Sequence, residues 1–181
     1  TVPAGSSSTA YLNLQLGTRP ARTLLFRGTT TPEGDEIKAS CTNAVYNGKV
    51  YTPSSQNKWS FNGYGFDHNP RILRYAEILL MYAEAKVAGA TWPTTSGLSA
   101  DDAVNLVRTR AGLGAIGGVT QQQIWDERRA ELALENDRFF DLVRTGQAAT
   151  ALPGFVVGKH EVYPIPSAQI QLNPNLEQNN Y

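Results

Sequence analysis

The sequence is short of most residues that announce chemistry. It has one cysteine, Cys41, so neither an intrachain disulfide framework nor a cysteine metal cluster can form. Its two histidines, His68 and His160, lie far apart and outside any HExxH pattern. With no GxSxG elbow either, a zinc site or a Ser-His-Asp triad would have to be assembled from one of them, and plain surface or core histidines are the better reading. Charge of one sign is not in excess: 16 basic residues balance 16 acidic ones, which removes the electrostatic pull toward nucleic acid or anionic lipid. No apolar run approaches the ~20 residues of a membrane-spanning helix; the longest, around residues 78–82, is a few residues. Thr1 is preceded by no methionine or signal peptide, which reads as removal of an earlier segment by processing or cloning. Cys41 follows Lys38-Ala39-Ser40 without a hydrophobic stretch, so it reads as a small core residue and not as a lipid-attachment site.

What the chain does have is a hydrophobic content of 41%, enough for a real core, and strong helical punctuation after residue 69. Asn69-Pro70 reads as a cap followed by proline in a first turn. Leu73, Ala76, Leu80, Ala83 and Val87 make one apolar stripe, and Ile72, Tyr75, Leu79 and Tyr82 a second beside it, a width that predicts a buried helix. Gly89 closes it. Ser99 with Asp102 is a capping pair for a second helix through Val104, Val107 and Ala111. The two helices, with Ala76 and Ala83 at the seam, look like one helical-repeat unit at about 70–112. Thr120 with Gln123 caps a third helix, predicted to run unbroken over about 120–145 and to end at Gly146. The tail reads as an extended segment rich in Pro, Asn and Gln, laid over the helices.

The first 66 residues read as loops with short strands. Residues 11–16 alternate, residues 23–26 are a second candidate strand, and Asn47-Gly48 predicts a local hairpin over 45–51. The architecture expected is therefore mainly α, with irregular loops and a few short strands.

Several motifs give way to plainer readings. Gly112-Leu113-Gly114-Ala115-Ile116-Gly117 matches GxGxxG, but it follows a helix, so a helix-to-helix turn is the better reading. Arg128, Glu131, Glu135, Arg138, Asp141 and Arg144 step by three or four and read as ion pairs along the helix flank. The same spacing argues against Glu131 and Glu135 as a catalytic pair, since glycosidase carboxylates face each other across a substrate. Trp125 reads as core.

The aromatics before the first helix are the candidate ligand site. Tyr46, Tyr51, Trp59, Phe61, Tyr64 and Phe66 crowd a polar, Gly- and Asn-rich stretch. Such rings suit the C–H faces of sugars, with neighbouring amides and carboxylates bonding the hydroxyls. Trp59 and Tyr64, then Tyr51, are the expected stacking residues, with Asn57, Asn62 and Asp67 as polar neighbours and Trp92 a weaker candidate. A hydrophobic plug beneath a long loop explains the cluster equally well.

Placed in order, several blocks resemble the C-terminal part of the SusD/RagB family of outer-membrane nutrient-binding proteins. They are Arg74-Tyr75-Ala76-Glu77-Ile78-Leu79-Leu80-Met81-Tyr82-Ala83-Glu84-Ala85, Val107-Arg108-Thr109-Arg110-Ala111-Gly112-Leu113, and Glu127-Arg128-Arg129-Ala130-Glu131-Leu132-Ala133-Leu134-Glu135. Arg138-Phe139-Phe140-Asp141-Leu142-Val143-Arg144-Thr145-Gly146, Pro164-Ile165-Pro166 and Asn173-Pro174-Asn175-Leu176-Glu177-Gln178-Asn179 complete the set. Asn136 and Phe139 stand where the family usually has Gly and Trp, and Asn180 where it has Gly. The resemblance covers residues 69–181 and implies a TPR-like helical scaffold there, with residues 1–68 as a ligand-facing region. It implies capture of an oligosaccharide or other nutrient at the bacterial cell surface without catalysis or cofactor. The implied partners are a SusC-like TonB-dependent transporter and a missing N-terminal part of the same protein carrying its lipid anchor. A docking module without its own ligand site is the alternative.

Overall fold

The computed structural model describes residues 14, 16–56, 71–91 and 97–180. They fall into two compact units, one ending at Glu135 and one starting at Asn136.

In the first unit, a short helix α1 (Pro20–Thr23) leads into β1 (Leu24–Phe26), followed by β2 (Thr29–Thr30), β3 (Glu36–Ile37) and β4 (Val45–Asn47). β2 and β3 pair as a small antiparallel hairpin. β4 pairs antiparallel with β1, with Leu25 opposite Tyr46. The hairpin expected over 45–51 is therefore not formed. Asn47 instead caps a 3₁₀ turn, Gly48–Val50, its side chain accepting from the Lys49 amide at 2.9 Å. Gly48 is needed for close approach: a Cβ there would lie 2.6 Å from the Arg22 carbonyl oxygen. Of the alternating stretch 11–16, only Leu14 and Leu16 are described; neither is in a strand, and Leu16 is buried. Cys41 is half-exposed in a loop and joins no core cluster, against the expectation of a core residue.

α2 (Tyr75–Val87), α3 (Ala100–Arg110) and α4 (Gln121–Glu131) follow. Leu80, Ala83, Val104, Val107 and Ile124 form their common core at 2% exposure or less. Both predicted capping boxes are present, Ser99 with Asp102 on α3 and Thr120 with Gln123 on α4. The glycine-rich stretch is indeed the turn between these helices. Asn105 grips Ile116 through both amide groups at 2.9 Å, and Asp101 accepts the Gly118 and Val119 amides at 2.7 and 2.8 Å.

α2 starts later than its periodicity suggests. Asn69-Pro70 lies outside the described residues, but residues 71–74 are not helical. Arg74 is the N-cap and makes no side-chain cap, because a guanidinium has no acceptor for the first-turn amides; it donates to Glu131 and Glu135 instead. Nor is the helix buried all round: Tyr75 is well exposed, as are Ile72 and Leu73 in the segment before the helix, and Ile78 and Met81 are partly so. Trp125 is half-buried, its indole N–H donating to Glu84 at 2.8 Å.

The long helix expected over 120–145 is broken. α4 ends at Glu131, α5 (Arg138–Arg144) begins seven residues later, and Leu134 and Asn136 between them have φ of 65° and 72°. In a continuing helix the Glu131 carbonyl would accept the Glu135 amide. It is taken instead by Lys49 Nζ and by Arg74 Nη2 at 3.1 Å, two cations placed where the helix dipole favours them. The Glu135 amide turns to the Leu132 carbonyl at 3.1 Å, and Asn47 donates to the Leu134 carbonyl at 3.0 Å.

The second unit contains α5, α6 (Ala148–Ala151) and α7 (Ser167–Leu172). The tail is thus more regular than its composition suggests. Gln178 bonds both the N–H and the carbonyl of Ile165, at 2.8 and 2.9 Å, and Asn179 donates to the Tyr163 carbonyl at 2.6 Å. These amides tie the chain end to the Pro-Ile-Pro segment.

Gly17 anchors the N-terminal strand region. Its φ is +59°, a Cβ would lie 1.9 Å from the Ala111 carbonyl oxygen, and the next amide, that of Thr18, donates to that oxygen at 2.9 Å. Gly17→Ala is expected to lower stability by more than ~1 kcal/mol in chemical denaturation, since both the backbone angle and the space are wrong for a side chain. Gly34→Ala, in open space at φ +95°, should cost less.

Candidate functional site

Three groupings of polar or aromatic side chains stand out, and the largest is ionic. Arg19, 6% exposed, sits just past the Gly17 contact and reaches Glu127 and, at 2.9 Å, Glu131. Arg108 meets Glu127 at 3.1 Å and also donates to the Gly114 carbonyl at 2.9 Å. Glu131 further accepts Arg74 at 2.8 Å and Arg110 at 2.6 and 2.7 Å. Glu135 receives a forked pair of bonds from Arg74, at 2.7 and 2.8 Å, together with Lys49. Arg128 lies 3.8 Å from Glu77.

Glu131 and Glu135 thus pair with distant segments, and Arg144 meets Asp141 at 2.9 Å in the expected i,i+3 sense. Burial pushes the Glu131 carboxyl up, but the Arg74 hydrogen bond and the charges of Arg110, Arg19 and Arg74 outweigh it and hold the carboxyl below its ordinary value. A carboxylate so saturated with guanidinium is a poor general acid or base, which needs a pKa near the working pH.

The second grouping centres on Asp35, in the turn of the β2–β3 hairpin. Its carboxylate accepts the Tyr51 hydroxyl, the Ser54 hydroxyl and, at 2.8 Å, the Ser54 amide. The Ser54 bonds hold this carboxyl below its ordinary value. The clip fixes the segment that leads into residues 57–70. Tyr51, one of the five expected ligand residues, is therefore half-buried with its hydroxyl committed to Asp35. Trp59, Asn62, Tyr64 and Asp67 lie outside the described residues, as do Asn57, His68 and Trp92.

The third grouping is a cleft of about 340 Å³ in the second unit, lined by Phe139, Leu152, Phe155, His160, Val162 and Tyr163 among others. Sequence reading gave Phe139 only a packing role and found no part for the other rings. Neither Asp35 nor this cleft has a local signature, since both join residues from separate turns. Among the described residues no group of His, Cys, Asp and Glu is arranged to hold a metal ion, and no helix is long and apolar enough to cross a membrane.

The model of the SusD family matches residues 22–160. The chain belongs to the SusD family. Solved SusD-like structures resemble it closely in fold. Surface glycan-binding protein A from Bacteroides uniformis superposes with a TM-score of 0.73 at 26% identity, over 97% of this chain and 40% of that one. Surface glycan-binding protein A from Bacteroides thetaiotaomicron, in complex with laminarihexaose, gives 0.71 at 27% identity, over 97% and 41%. A laminarin-binding SusD-like protein gives 0.69 at 31% identity, over 90% and 34%. No curated protein matches the sequence. The chain thus spans about 40% of the length of its SusD-like structural relatives. Its family blocks coincide with the ionic seam: the arginines at 74, 108 and 110 and the glutamates at 127, 131 and 135 all lie within them.

Glu131→Ala is expected to destabilise the first unit by about 3–5 kcal/mol, because it leaves buried guanidinium without its counter-charge. The sign of the pH effect follows from the lowered carboxyl. Its stabilisation is present above the unfolded-state pKa and is lost as pH falls through the lower folded value. Urea titrations should therefore show stability dropping below the ordinary glutamate range, with a shallower drop in Glu131→Gln.

Proposed function

We propose that this chain is the C-terminal part of a non-catalytic, cell-surface glycan-binding protein of the SusD type. The observation that carries the reading is the likeness over 97% of the chain to a surface glycan-binding protein solved with laminarihexaose. Trp59 and Tyr64 supply the stacking faces and Asn62 and Asp67 the hydrogen bonds, in a stretch whose rings and amides match the demands of a sugar. Tyr51 acts beside them as a clamped residue, held by Asp35 at the entrance to that stretch. Residues 1–68 are the ligand-facing region and residues 69–181 the scaffold. The complete protein sits at the outer membrane of a bacterium through a lipid anchor, and hands its oligosaccharide to a SusC-like TonB-dependent transporter. The arginine-saturated carboxylates support binding without hydrolysis.

A docking module without a ligand site is the second reading. What favours it is the exposed apolar group at the start of α2, where Tyr75 and, just before the helix, Ile72 and Leu73 are 73, 87 and 66% exposed.

Calorimetry against a glycan panel that includes laminarihexaose separates the two. Binding is expected, with Trp59→Ala about tenfold weaker, the ~1–2 kcal/mol of one stacking ring, and an unchanged unfolding midpoint. If Trp59→Ala binds every glycan as the parent does, the aromatic assignment fails; if the parent binds none, docking is the better reading. Incubation with laminarihexaose should release no shorter product.

A further inference from the structure

The cleft in the second unit lies far along the sequence from the aromatic stretch at 46–66, and its lining has the properties of a small sugar site. Phe139 on α5 stands 6.0 Å from Tyr163 and 6.5 Å from Phe155, at interplanar angles of 50° and 53°. Phe155 in turn meets His160 edge-on at 5.7 Å and 75°. No two of these rings stack face to face; Phe139, Phe155 and His160 are half-buried. Tyr163, 65% exposed, offers the most open ring.

Polar groups sit beside the rings. His160 Nδ1 accepts the Val156 amide at 3.0 Å, which makes Nε2 the ring nitrogen that bears a proton. The backbone around the cleft is held on both sides. Asn179 grips the Tyr163 carbonyl at 2.6 Å, and Glu161 accepts the Gly158 amide at 2.9 Å. The rings are thus presented by pinned turns, which lowers the ordering cost of binding. A volume of about 340 Å³ is at the lower end of the ~300–1,000 Å³ of small-molecule sites. It suits a terminal sugar unit and not a long chain of them.

We propose that this cleft is a second carbohydrate subsite that takes a single pyranose ring, its C–H face on Tyr163 and Phe155 and a hydroxyl at His160. The subsite rests on the glycan-binding reading, yet it stands or falls separately from Trp59 and Tyr64. Neutral sugar is the class that fits: stacking rings line the cleft, and no Lys or Arg is among its lining residues to recognise a carboxylate or phosphate.

The test is saturation-transfer NMR on the full chain, with methyl β-glucoside, methyl β-galactoside and maltose as small probes and laminarihexaose in parallel. At least one small probe should receive saturation. Measured in a Trp59→Ala background, so that the aromatic stretch does not contribute, Tyr163→Ala should weaken its binding about five- to tenfold while Tyr163→Phe retains it. Because Tyr163 is exposed, its loss should not unfold the unit, and an unchanged circular dichroism melt checks this. Absence of transfer from every small probe, or a Tyr163→Ala variant that binds them as the parent does, overturns the subsite. If laminarihexaose binding is then lost only in Trp59→Ala, the glycan-binding reading survives without the subsite.

Discussion

Three carboxylates at and just past the end of α4, those of Glu127, Glu131 and Glu135, receive cations from segments that are otherwise remote. Arg19 comes from the N-terminal strand region, 112 residues away from Glu131 in sequence, Lys49 from the 3₁₀ turn, Arg74 from the start of α2, and Arg108 and Arg110 from the last turn of α3. The segments before α2 are weak by themselves. The strands are two or three residues long, and the 3₁₀ turn contributes no fully buried side chain. Burying so many charges costs several kcal/mol per ion, and only close geometry with full hydrogen bonding repays it. Forked and shared arginine contacts supply that geometry. The seam therefore specifies which segments meet, while Leu80, Val104 and Ile124 supply the hydrophobic stabilisation.

The same cations decide where the helix stops. By capping the Glu131 carbonyl, Lys49 and Arg74 remove the acceptor that the next turn would use, and the chain passes through two left-handed residues before α5 begins. Asn136 tolerates that angle more readily than Leu134, whose carbonyl is held by Asn47. The break separates the two compact units and ends the ionic seam, so the second unit builds on rings and side-chain amides instead.

Local signals in the sequence were legible and distant ones were not. Ser99–Asp102 and Thr120–Gln123 each close within four residues, so their capping boxes could be read directly. The glycine-rich run after α3 yielded to context, because a helix stands before it. Asn47-Gly48 misled because the pair also suits a capped 3₁₀ turn, and the choice is made by the close approach of the Arg22 carbonyl. The helix break was hidden for a similar reason: its cause lies in residues 49 and 74, not in the helix. The ligand stretch was legible only as composition. Of the five expected ligand residues only Tyr51 is described, and it shows how a ring read as exposed is bound through its hydroxyl to Asp35, a residue no spacing rule connects to it.

The claim that the ionic seam holds the N-terminal segment against the helices is tested most directly by a double-mutant cycle on Arg19 and Glu127, using Arg19→Met and Glu127→Gln with urea unfolding. The pair is buried on both sides, at 5% and 4% side-chain exposure, so a coupling energy above about 1.5 kcal/mol is expected. A coupling near zero, with the two single losses simply adding, would contradict the account.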